Sequence, residues 1–410
     1  MNRAALARAG VRRAPRRHVG LFLGALLTTA VFVGALAVGD SVKATLRDQA
    51  LDRIGRIDVA LDAGDRFVTA ALARALARDG REVAALVSLD GVAVTPDGTR
   101  RANGVRVLGV DAAFAPLSRS GRPRPAPAPG TAHLSPRLAR QLGLDEGGTA
   151  ILRVERPTAM PRETTMGDAD DPVTALRVEV AGVVAPEDGG RFTLEAHQIP
   201  PYVAFVDREW LAAELEIAGR ANLLLATGDP AAASAALRTE WTLDDLELTI
   251  DRRDDHAALR SRRVLLDPPI EAAVRATGVA GLAGSAMFVE RIARSDDAEG
   301  PSLPYSIVGA LQPVGDVRTP ALRAAAALVP DDLGPDGIVL HDAAADRLGA
   351  APGASLRIDA FALGDDLRVT VRSRPFSVRS VVPLAGAAAD PTWMPRIEGL
   401  DRTDREGSRT

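Results

Sequence analysis

The sequence contains no cysteine, a single lysine and few aromatic residues. Without cysteine the chain has no disulfide framework, no thiolate metal site and no cysteine nucleophile. The one lysine, Lys43, follows Val42, whereas a Walker A phosphate loop needs glycine immediately before its lysine. Aromatic residues make up 3% of the chain, which gives no stacking platform for sugars or nucleic acid. Nucleotide hydrolysis by a P-loop is therefore excluded.

Length and overall composition are those of a chain with a folded core. Its 410 residues leave room for about two to three domains. Hydrophobic residues make up 46% and charged residues 25%, which excludes global disorder.

Charge is unevenly distributed along the chain. Residues 1–18 carry six arginines and no acid, so the remaining residues hold 44 bases against 54 acids. Residues 19–39 follow without a single charge, and as a helix they are about 31 Å long, enough to cross a hydrocarbon core of about 30 Å. The sequence thus predicts a basic stub, a transmembrane helix and an acidic outer body. Nucleic-acid binding is not expected, because it needs a basic face on the folded domain.

The positive-inside rule places the N-terminus in the cytoplasm. Residues 40–410 are then periplasmic or extracytoplasmic, and the chain is a single-pass protein of the inner (plasma) membrane. The rival interpretation is a cleaved signal peptide, since Ala35-Leu36-Ala37 fits the small-x-small rule. The apolar run exceeds the usual length for such a peptide, and apolar positions at helical spacing continue past Asp40. We therefore predict a retained span followed by a stalk helix over 40–62.

The outer part alternates between strand-like and helical segments. Ser135 is a candidate N-cap for a helix over Leu134–Leu142, which Gly143 closes. The small, apolar segment Gly278–Phe288 is too short to span a membrane and is predicted as a buried helix. The other predictions are strands at Val83–Leu89, Val105–Val110, Ala150–Val154, Leu176–Val184 and Asn222–Ala226, loops at Pro116–Gly130 and Met160–Pro172, helices within 208–241, and a helix over Arg260–Ala276 that is interrupted at Pro268-Pro269.

An internal repeat is the most informative pattern. HLSPRLARQLGLDEGGTAILRV, from His133 to Val154, matches LHDAAADRLGAAPGASLRI, from Leu340 to Ile358, at an offset of 206. The matched pairs are Leu134 with Leu340, Ala139 with Ala345, Leu142 with Leu348, Gly143 with Gly349, Gly147 with Gly353 and Leu152 with Ile358. Flanking segments match too, residues 107–110 with 307–310 and residues 181–184 with 379–382.

These features resemble ABC transporter permeases of the MacB/FtsX type. The first helix running into GDSVKATLRDQALDRIGRID, the segment RANGVRVLGVD and the paired A-x-x-LG-(x)3-G units carry the resemblance. PYSIVGAL, SRRVLLDPP and FSVRSVVPLAG also have counterparts in long, duplicated members of that group. The resemblance covers residues 19–395 and implies a fold more specifically than it implies a substrate.

The resemblance implies an α+β fold in which a single N-terminal transmembrane helix precedes an internally repeated MacB-like periplasmic core. The expected segments are 1–18 cytoplasmic stub, 19–39 transmembrane helix, 40–62 stalk, 63–206 first repeat, 207–300 helical insertion, 301–386 second repeat and 387–410 polar tail. Expected partners are the membrane, a separate ABC ATPase and further permease helices. A homodimer is compatible with this picture.

Function is expected to be mechanical rather than enzymatic. Permeases of this type carry further transmembrane helices after the core, and none follows before Thr410. The chain is accordingly expected to be the N-terminal part of a permease whose core couples to a cytoplasmic ATPase for export or mechanotransmission. The alternative is a membrane-anchored binding or scaffold domain without a transport role.

No catalytic, cofactor-binding or metal-binding residues are predicted. The five histidines (His18, His133, His197, His256 and His341) lack ligand spacing, and His133 and His341 are interpreted as helix-start residues. The acidic runs 167–171 and 251–255 lack the pattern of an EF-hand. Ser285 lies outside a nucleophile elbow, and Ser41 and Lys43 are two residues apart, so they do not face each other on a helix. Trp210, Trp241 and Trp393 are interpreted as packing residues.

Overall fold

Helix α1 (Pro15–Ile54) dominates the N-terminal part of the chain. The computed structural model describes residues 9, 12–78, 80–157, 173–195, 199–252, 256–262, 266–297, 299–363 and 369–390. Among these, α1 is the one helix that is long and apolar enough to cross a membrane. It contains the predicted span and continues beyond it without a break. Within the span the hydroxyl of Thr28 is satisfied, because Oγ1 donates to the Gly24 carbonyl at 2.9 Å. The helix ends at Ile54, so the helical stalk is shorter than the predicted 40–62.

The rest of the chain is a mixture of helices and strands, which confirms the α+β prediction. It forms two compact units. Unit 1 comprises residues 1–155 and 173–240, and unit 2 comprises residues 156–172 and 241–410. The sequence boundary between them at 240/241 lies inside the predicted helical insertion 207–300, which contains strands as well as helices.

In unit 1 eight of the described strands pair in the order β1-β10-β3-β4-β8-β5-β7-β6, while β2 pairs with β9. A further pairing of β3 with β6 closes six of the eight into a ring. The strands are β1 (Val59–Asp62), β2 (Val68–Thr69), β3 (Val83–Val94), β4 (Arg101–Val110), β5 (Thr131–Leu134), β6 (Thr149–Glu155), β7 (Val173–Val183), β8 (Tyr202–Asp207), β9 (Arg220–Ala221) and β10 (Leu223–Ala226). The helices are α2 (Ala70–Leu76), α3 (Pro136–Leu142), α4 (Arg208–Glu214) and α5 (Pro230–Glu240).

Two apolar cores lie against this sheet. The first contains residues of α3 and α4 with Ala204 and Val206 of β8. The second contains Ile57, Phe114 and Leu117 with Val203 and Phe205 of β8. Successive side chains of a strand point to opposite faces, so the apolar sequence of β8 contributes to both cores. This explains why β8 shows no alternation of apolar and polar residues.

Unit 2 contains one five-stranded sheet in the order β14-β13-β16-β17-β15 and a separate hairpin of β11 and β12. Its strands are β11 (Leu248–Arg252), β12 (Ala257–Ser261), β13 (Gly281–Arg294), β14 (Ser302–Val314), β15 (Gly337–His341), β16 (Ser355–Leu363) and β17 (Val369–Val382). Its helices are α6 (Pro268–Ala276), α7 (Pro320–Ala326) and α8 (Asp342–Leu348). A core around Val289, Leu348 and Leu356 joins the sheet to α8.

Several sequence predictions are wrong in unit 2 and at helix ends. Gly278–Phe288 is not a buried helix, because the residues from Gly281 onward form β13 and pair with β14. The predicted helix Arg260–Ala276 exists only as α6, since Ala257–Ser261 is a strand. Leu134 belongs to β5, and α3 begins at Pro136. The predicted loop Met160–Pro172 and most of the tail 387–410 lie outside the described residues.

The two units share one pairing scheme. In unit 1, β5 runs parallel to β7 with Ala132 opposite Val180, and in unit 2 β15 runs parallel to β17 with Ile338 opposite Val378. Both ladders shift register at the next residue. The antiparallel pairs Ala93↔Leu152 and Ile292↔Ile358 correspond in the same way, as do Ser88↔Leu108 and Met287↔Val308. The strands β3, β4, β5, β6 and β7 therefore have counterparts in β13, β14, β15, β16 and β17.

Candidate functional site

The candidate site is the junction where α1 enters unit 1, and Gly55 is its first element. The Gly55 amide donates to the Leu51 carbonyl at 3.1 Å and ends the helix with φ +67°. A Cβ atom at this position would lie 2.7 Å from the Leu117 carbonyl oxygen and 2.8 Å from the Arg119 amide nitrogen. Only glycine accommodates both this backbone conformation, with φ +67° and ψ −122°, and the close approach of two backbones.

Residues 114–121, here called the clamp segment, hold the chain that leaves the helix. The Arg56 amide donates to the Leu117 carbonyl at 2.9 Å, and the Arg56 guanidinium donates to the Pro116 carbonyl at 3.1 Å. The same guanidinium pairs with Glu82 at 3.2 Å. The Arg56 and Glu82 side chains are 50% and 42% exposed, so this ion pair contributes at most about 1 kcal/mol. The geometry of the junction is fixed by the hydrogen bond from the Arg56 amide to the Leu117 carbonyl and by the close packing at Gly55.

A second ion pair joins the helix itself to the clamp segment. Arg119 Nη1 lies 2.7 Å from Asp52 Oδ2 in the last turn of α1. Both side chains are more than half exposed, so the stabilisation is again at most about 1 kcal/mol. The pair nevertheless joins the last turn of α1, which precedes Gly55, to the clamp segment. Arg56, which follows Gly55, contacts the same segment.

Ile57 anchors the junction in the second core of unit 1. Its side chain is 7% exposed and packs in a cluster with Phe114, Phe192 and Phe205. The Phe114 ring meets the Phe192 ring edge to face at 5.4 Å and the Phe205 ring at 5.8 Å. Burial of a side chain of this size contributes about 1.5–3 kcal/mol. This apolar contact is therefore the largest single stabilisation at the junction.

The chain then passes directly into the sheet. The Asp58 amide donates to the Ala226 carbonyl at 3.0 Å, and Asp58 Oδ2 accepts from the Gly228 amide at 2.7 Å. From Val59 onward β1 pairs with β10, which in turn pairs with β3. Four residues thus separate the end of α1 from the sheet, and each of them has a defined contact. A displacement of α1 along its axis can be passed to the central strands through this connection.

Sequence reasoning located the helix but missed the clamp segment. The interval Pro116–Gly130 was predicted as an exposed loop, whereas Leu117 is fully buried beneath the junction. One available signal was Gly55 within RIGRID, since glycine just after a helical pattern commonly ends the helix in a left-handed conformation. The partner of that glycine is more than sixty positions away in the sequence, and local patterns do not report such contacts.

The histidines that were considered as ligands do not come together. His18 Nδ1, in the first turns of α1, lies 2.9 Å from the carbonyl of Ala14, the residue before that helix. His133 belongs to β5 rather than starting a helix. His341 does start a helix, because its Nδ1 caps α8 by accepting from the Ala344 amide at 3.1 Å. His256 precedes β12, and His197 lies outside the described residues. Among the described residues, no group of three or more potential metal ligands is found.

The other weighed residues occupy structural positions. Asp251 pairs with Arg260 across the β11–β12 hairpin at 3.1 Å, while residues 167–171 and 253–255 are outside the described ranges. The Ser41 carbonyl accepts from Thr45 Oγ1 within α1, and Ser285 pairs opposite Ala310 in the sheet. Trp210 packs against the first core, and Trp393 is not among the described residues.

Two solved structures are similar to part of the chain. The periplasmic region of MacB from Actinobacillus actinomycetemcomitans is 11% identical with a TM-score of 0.28, over 43% of this chain and 78% of that one. The extracellular domain of the noncanonic ABC-type transporter YknZ from Gram-positive bacteria is 13% identical with a TM-score of 0.27, over 45% and 85%. No family model and no curated protein matches the chain. Each similarity spans less than half of this chain. Independently of them, α1 is long and apolar enough to cross a membrane.

Proposed function

We propose that the chain is the N-terminal part of an ABC-type permease, whose extracytoplasmic core is coupled through α1 to a separate cytoplasmic ATPase. The basic stub lies in the cytoplasm of a cell whose inner (plasma) membrane α1 crosses, and residues 40–410 lie outside. The chain contributes no catalysis of its own and works with further permease helices. Its role is export or mechanotransmission across that membrane.

One observation carries this proposal, namely that α1 is continuous from the apolar span to the junction. The helix is 40 residues long, about 60 Å at 1.5 Å per residue. About 22 Å of it, residues 40–54, extends beyond the uncharged run and ends in the contacts of Gly55, Arg56 and Ile57. A mere tether would need neither a continuous helix nor a backbone clamp at its end.

We further propose that the two units are copies of one internal repeat. The helix N-caps Ser135 and His341 and the helix-ending glycines Gly143 and Gly349 are both 206 positions apart. Gly147 donates to the Val180 carbonyl, and Gly353 donates to the Val378 carbonyl. The strand registers, the helix caps and the hydrogen bonds of the turns correspond between the two units. This supports duplication more strongly than matched residues alone.

Insertion of Gly-Gly-Ser after Arg47 tests whether α1 transmits motion between the extracytoplasmic core and the cytoplasmic ATPase. Glycines inside a helix cost about 1 kcal/mol each and make the segment flexible, while the anchor and the core stay intact. The matched control is the same insertion after Pro123, in an exposed loop of unit 1. The full chain is reconstituted with an ABC-type ATPase and further permease helices, and its stimulation of ATP hydrolysis is measured.

We expect the insertion after Arg47 to lower that stimulation at least fivefold and the insertion after Pro123 to leave it within twofold. Full stimulation with the Arg47 insertion contradicts transmission and leaves α1 as a tether. A chain that associates with no ATPase contradicts the permease role and favours the anchored scaffold domain.

A further inference from the structure

Strand β8 closes the ring of unit 1 by pairing on both of its edges. It runs parallel to β4, from Val105↔Tyr202 to Val110↔Asp207. It runs antiparallel to β5, where Ala132 lies opposite Val206. Ser135, at the start of α3, adds two more bonds, donating its amide to the Val203 carbonyl at 2.8 Å and accepting from the Val203 amide at 3.0 Å.

Unit 2 has the strands on either side of this position but, among its described residues, no strand in it. The counterparts of β4 and β5 are β14 and β15, and these are the two outer strands of the five-stranded sheet. Helix α8 packs against both β14 and β15, as α3 packs against β4, β5 and β8. The interval between β14 and β15, here called the open strand position, is thus bordered by the same elements as β8.

Solvent exposure differs at corresponding strand positions of the two units. Gly109 and Val110 of β4 are buried beside β8, whereas the corresponding Gly309 and Ala310 of β14 are exposed. Likewise Ala132 of β5 is buried, while Ile338 of β15 is half-buried. Strand β14 carries no charged residue over its 13 positions. Natural edge strands are usually protected by charge, by proline or by very short length. The two prolines of β14, Pro304 and Pro313, lie outside residues 305–310, so this stretch of the edge is suited to pairing.

We propose that unit 2 binds one extended strand of a partner polypeptide at the open strand position. The partner strand runs parallel to residues 305–310 of β14 and antiparallel to residues 338–340 of β15, in the register that β8 adopts in unit 1. Main-chain hydrogen bonds on both edges supply the affinity, as in other cases of strand addition. The bound segment is uncharged over about five residues, with apolar side chains toward α8. This inference does not depend on the transport role proposed above.

The chemistry of β8 identifies the kind of partner. Its four central residues, Val203 to Val206, are uncharged and buried. The chain's own tail does not offer this chemistry at the corresponding spacing. Strand β8 begins 19 positions after Val183, and the same spacing after Val382 reaches residues 401–406, which carry five charges. Burying such a segment between two strands is costly, which favours a partner over the tail.

A labelled peptide with the sequence of residues 201–208 is the probe, and fluorescence anisotropy with the full chain in detergent is the measurement. We expect saturable binding that weakens at least tenfold when lysines replace the residues at positions 204 and 206 of the peptide. Gly309→Lys should weaken binding at least tenfold, because it places a charged side chain on the strand edge that the peptide pairs with. The variant can fold, since a Cβ atom at Gly309 lies 3.8 Å from its nearest neighbour, the Ser285 carbonyl oxygen. Gln312→Lys on the same strand, outside the paired residues, is the matched control and should bind normally.

A register test uses the absence of cysteine from the chain. A peptide with cysteine in place of Asp207 should form a disulfide with Ala310→Cys and not with Gln312→Cys. The proposal is overturned if the peptide does not bind to the natural chain, or if it binds to the Gly309→Lys variant as tightly as to the natural chain. Binding only after residues 391–410 are removed shows that the tail fills the position and also overturns it. A dimer in light scattering that Gly309→Lys disperses assigns the position to a second copy instead.

Discussion

Ser135 Oγ and His341 Nδ1 perform the same task in two helices whose starts are 206 positions apart. Ser135 Oγ accepts from the Leu138 amide at 3.3 Å, and His341 Nδ1 accepts from the Ala344 amide at 3.1 Å. Serine is a preferred N-cap residue and histidine is not, so the position is kept while the residue differs. The cap is therefore at the equivalent helix start in both units although the capping residue differs.

This relationship predicts unequal costs of removing the two caps. Ser135→Ala removes an N-cap and also the acceptor of the buried Val203 amide. We expect it to lower the free energy of unfolding of unit 1 by about 2–4 kcal/mol. His341→Ala removes only the cap of α8 and should cost about 1 kcal/mol in unit 2. Urea unfolding of the full chain, followed by hydrogen exchange in α3 and α8, measures both.

His341→Asn is the control, because asparagine also caps helices and should restore most of the loss. Equal costs for Ser135→Ala and His341→Ala would contradict the additional role assigned to Ser135 in holding β8.

A second prediction concerns Gly55 and its matched control Gly64. Both have a positive φ, +67° and +62°. A Cβ at Gly64 meets nothing within 4 Å, whereas at Gly55 it meets three backbone atoms of the clamp segment. Gly64→Ala should therefore cost about 1–2 kcal/mol through conformation alone. Gly55→Ala should cost clearly more and loosen the junction.

Spin labels on cysteines at Thr45 and Ala112 report that loosening, since the chain has no other cysteine. We expect the inter-label distance distribution to broaden in Gly55→Ala and to stay narrow in Gly64→Ala. Unchanged distributions in both variants would show that the clamp segment does not fix α1.

Much of the fold could be predicted from local patterns, and the reasons for the failures are physical. The span, the Ser135 cap and the helix-ending Gly143 follow from composition and near neighbours. Gly278–Phe288 was wrong because a short apolar run is compatible with either a helix or a strand. The contact of Gly55 with the clamp segment depends on residues far away in the sequence. The same is true of the ring that β8 closes, which only the strand pairing reveals.

A third prediction concerns orientation. With the stub in the cytoplasm, Ala112→Cys in unit 1 should react with a membrane-impermeant maleimide in intact cells. Ala9→Cys should react only after the membrane is permeabilised. Both residues are exposed, so access depends on the side of the membrane. Labelling of Ala9→Cys in intact cells would reverse the orientation, and a mature N-terminus at Val38 by mass spectrometry would identify a cleaved signal peptide instead.

The last prediction is a pH dependence that originates at His133. Burial in β5, with the charge of Arg124 added, lowers the pKa of His133 below its ordinary value of 6.5, and Glu146 opposes this only in part. Between the two pKa values the unfolded chain binds more protons than the folded chain, so stability rises with pH. The contribution is complete above about pH 6.5 and is lost as the pH falls through the lower, folded value. His133→Asn cannot be protonated in this range, so unfolding of unit 1 in urea should depend less on pH between 7.5 and 5.5 in this variant than in the natural chain. Carboxylates titrate in both proteins, and the difference between the two profiles isolates the histidine. Parallel profiles would show that His133 is protonated equally easily in the folded and unfolded states.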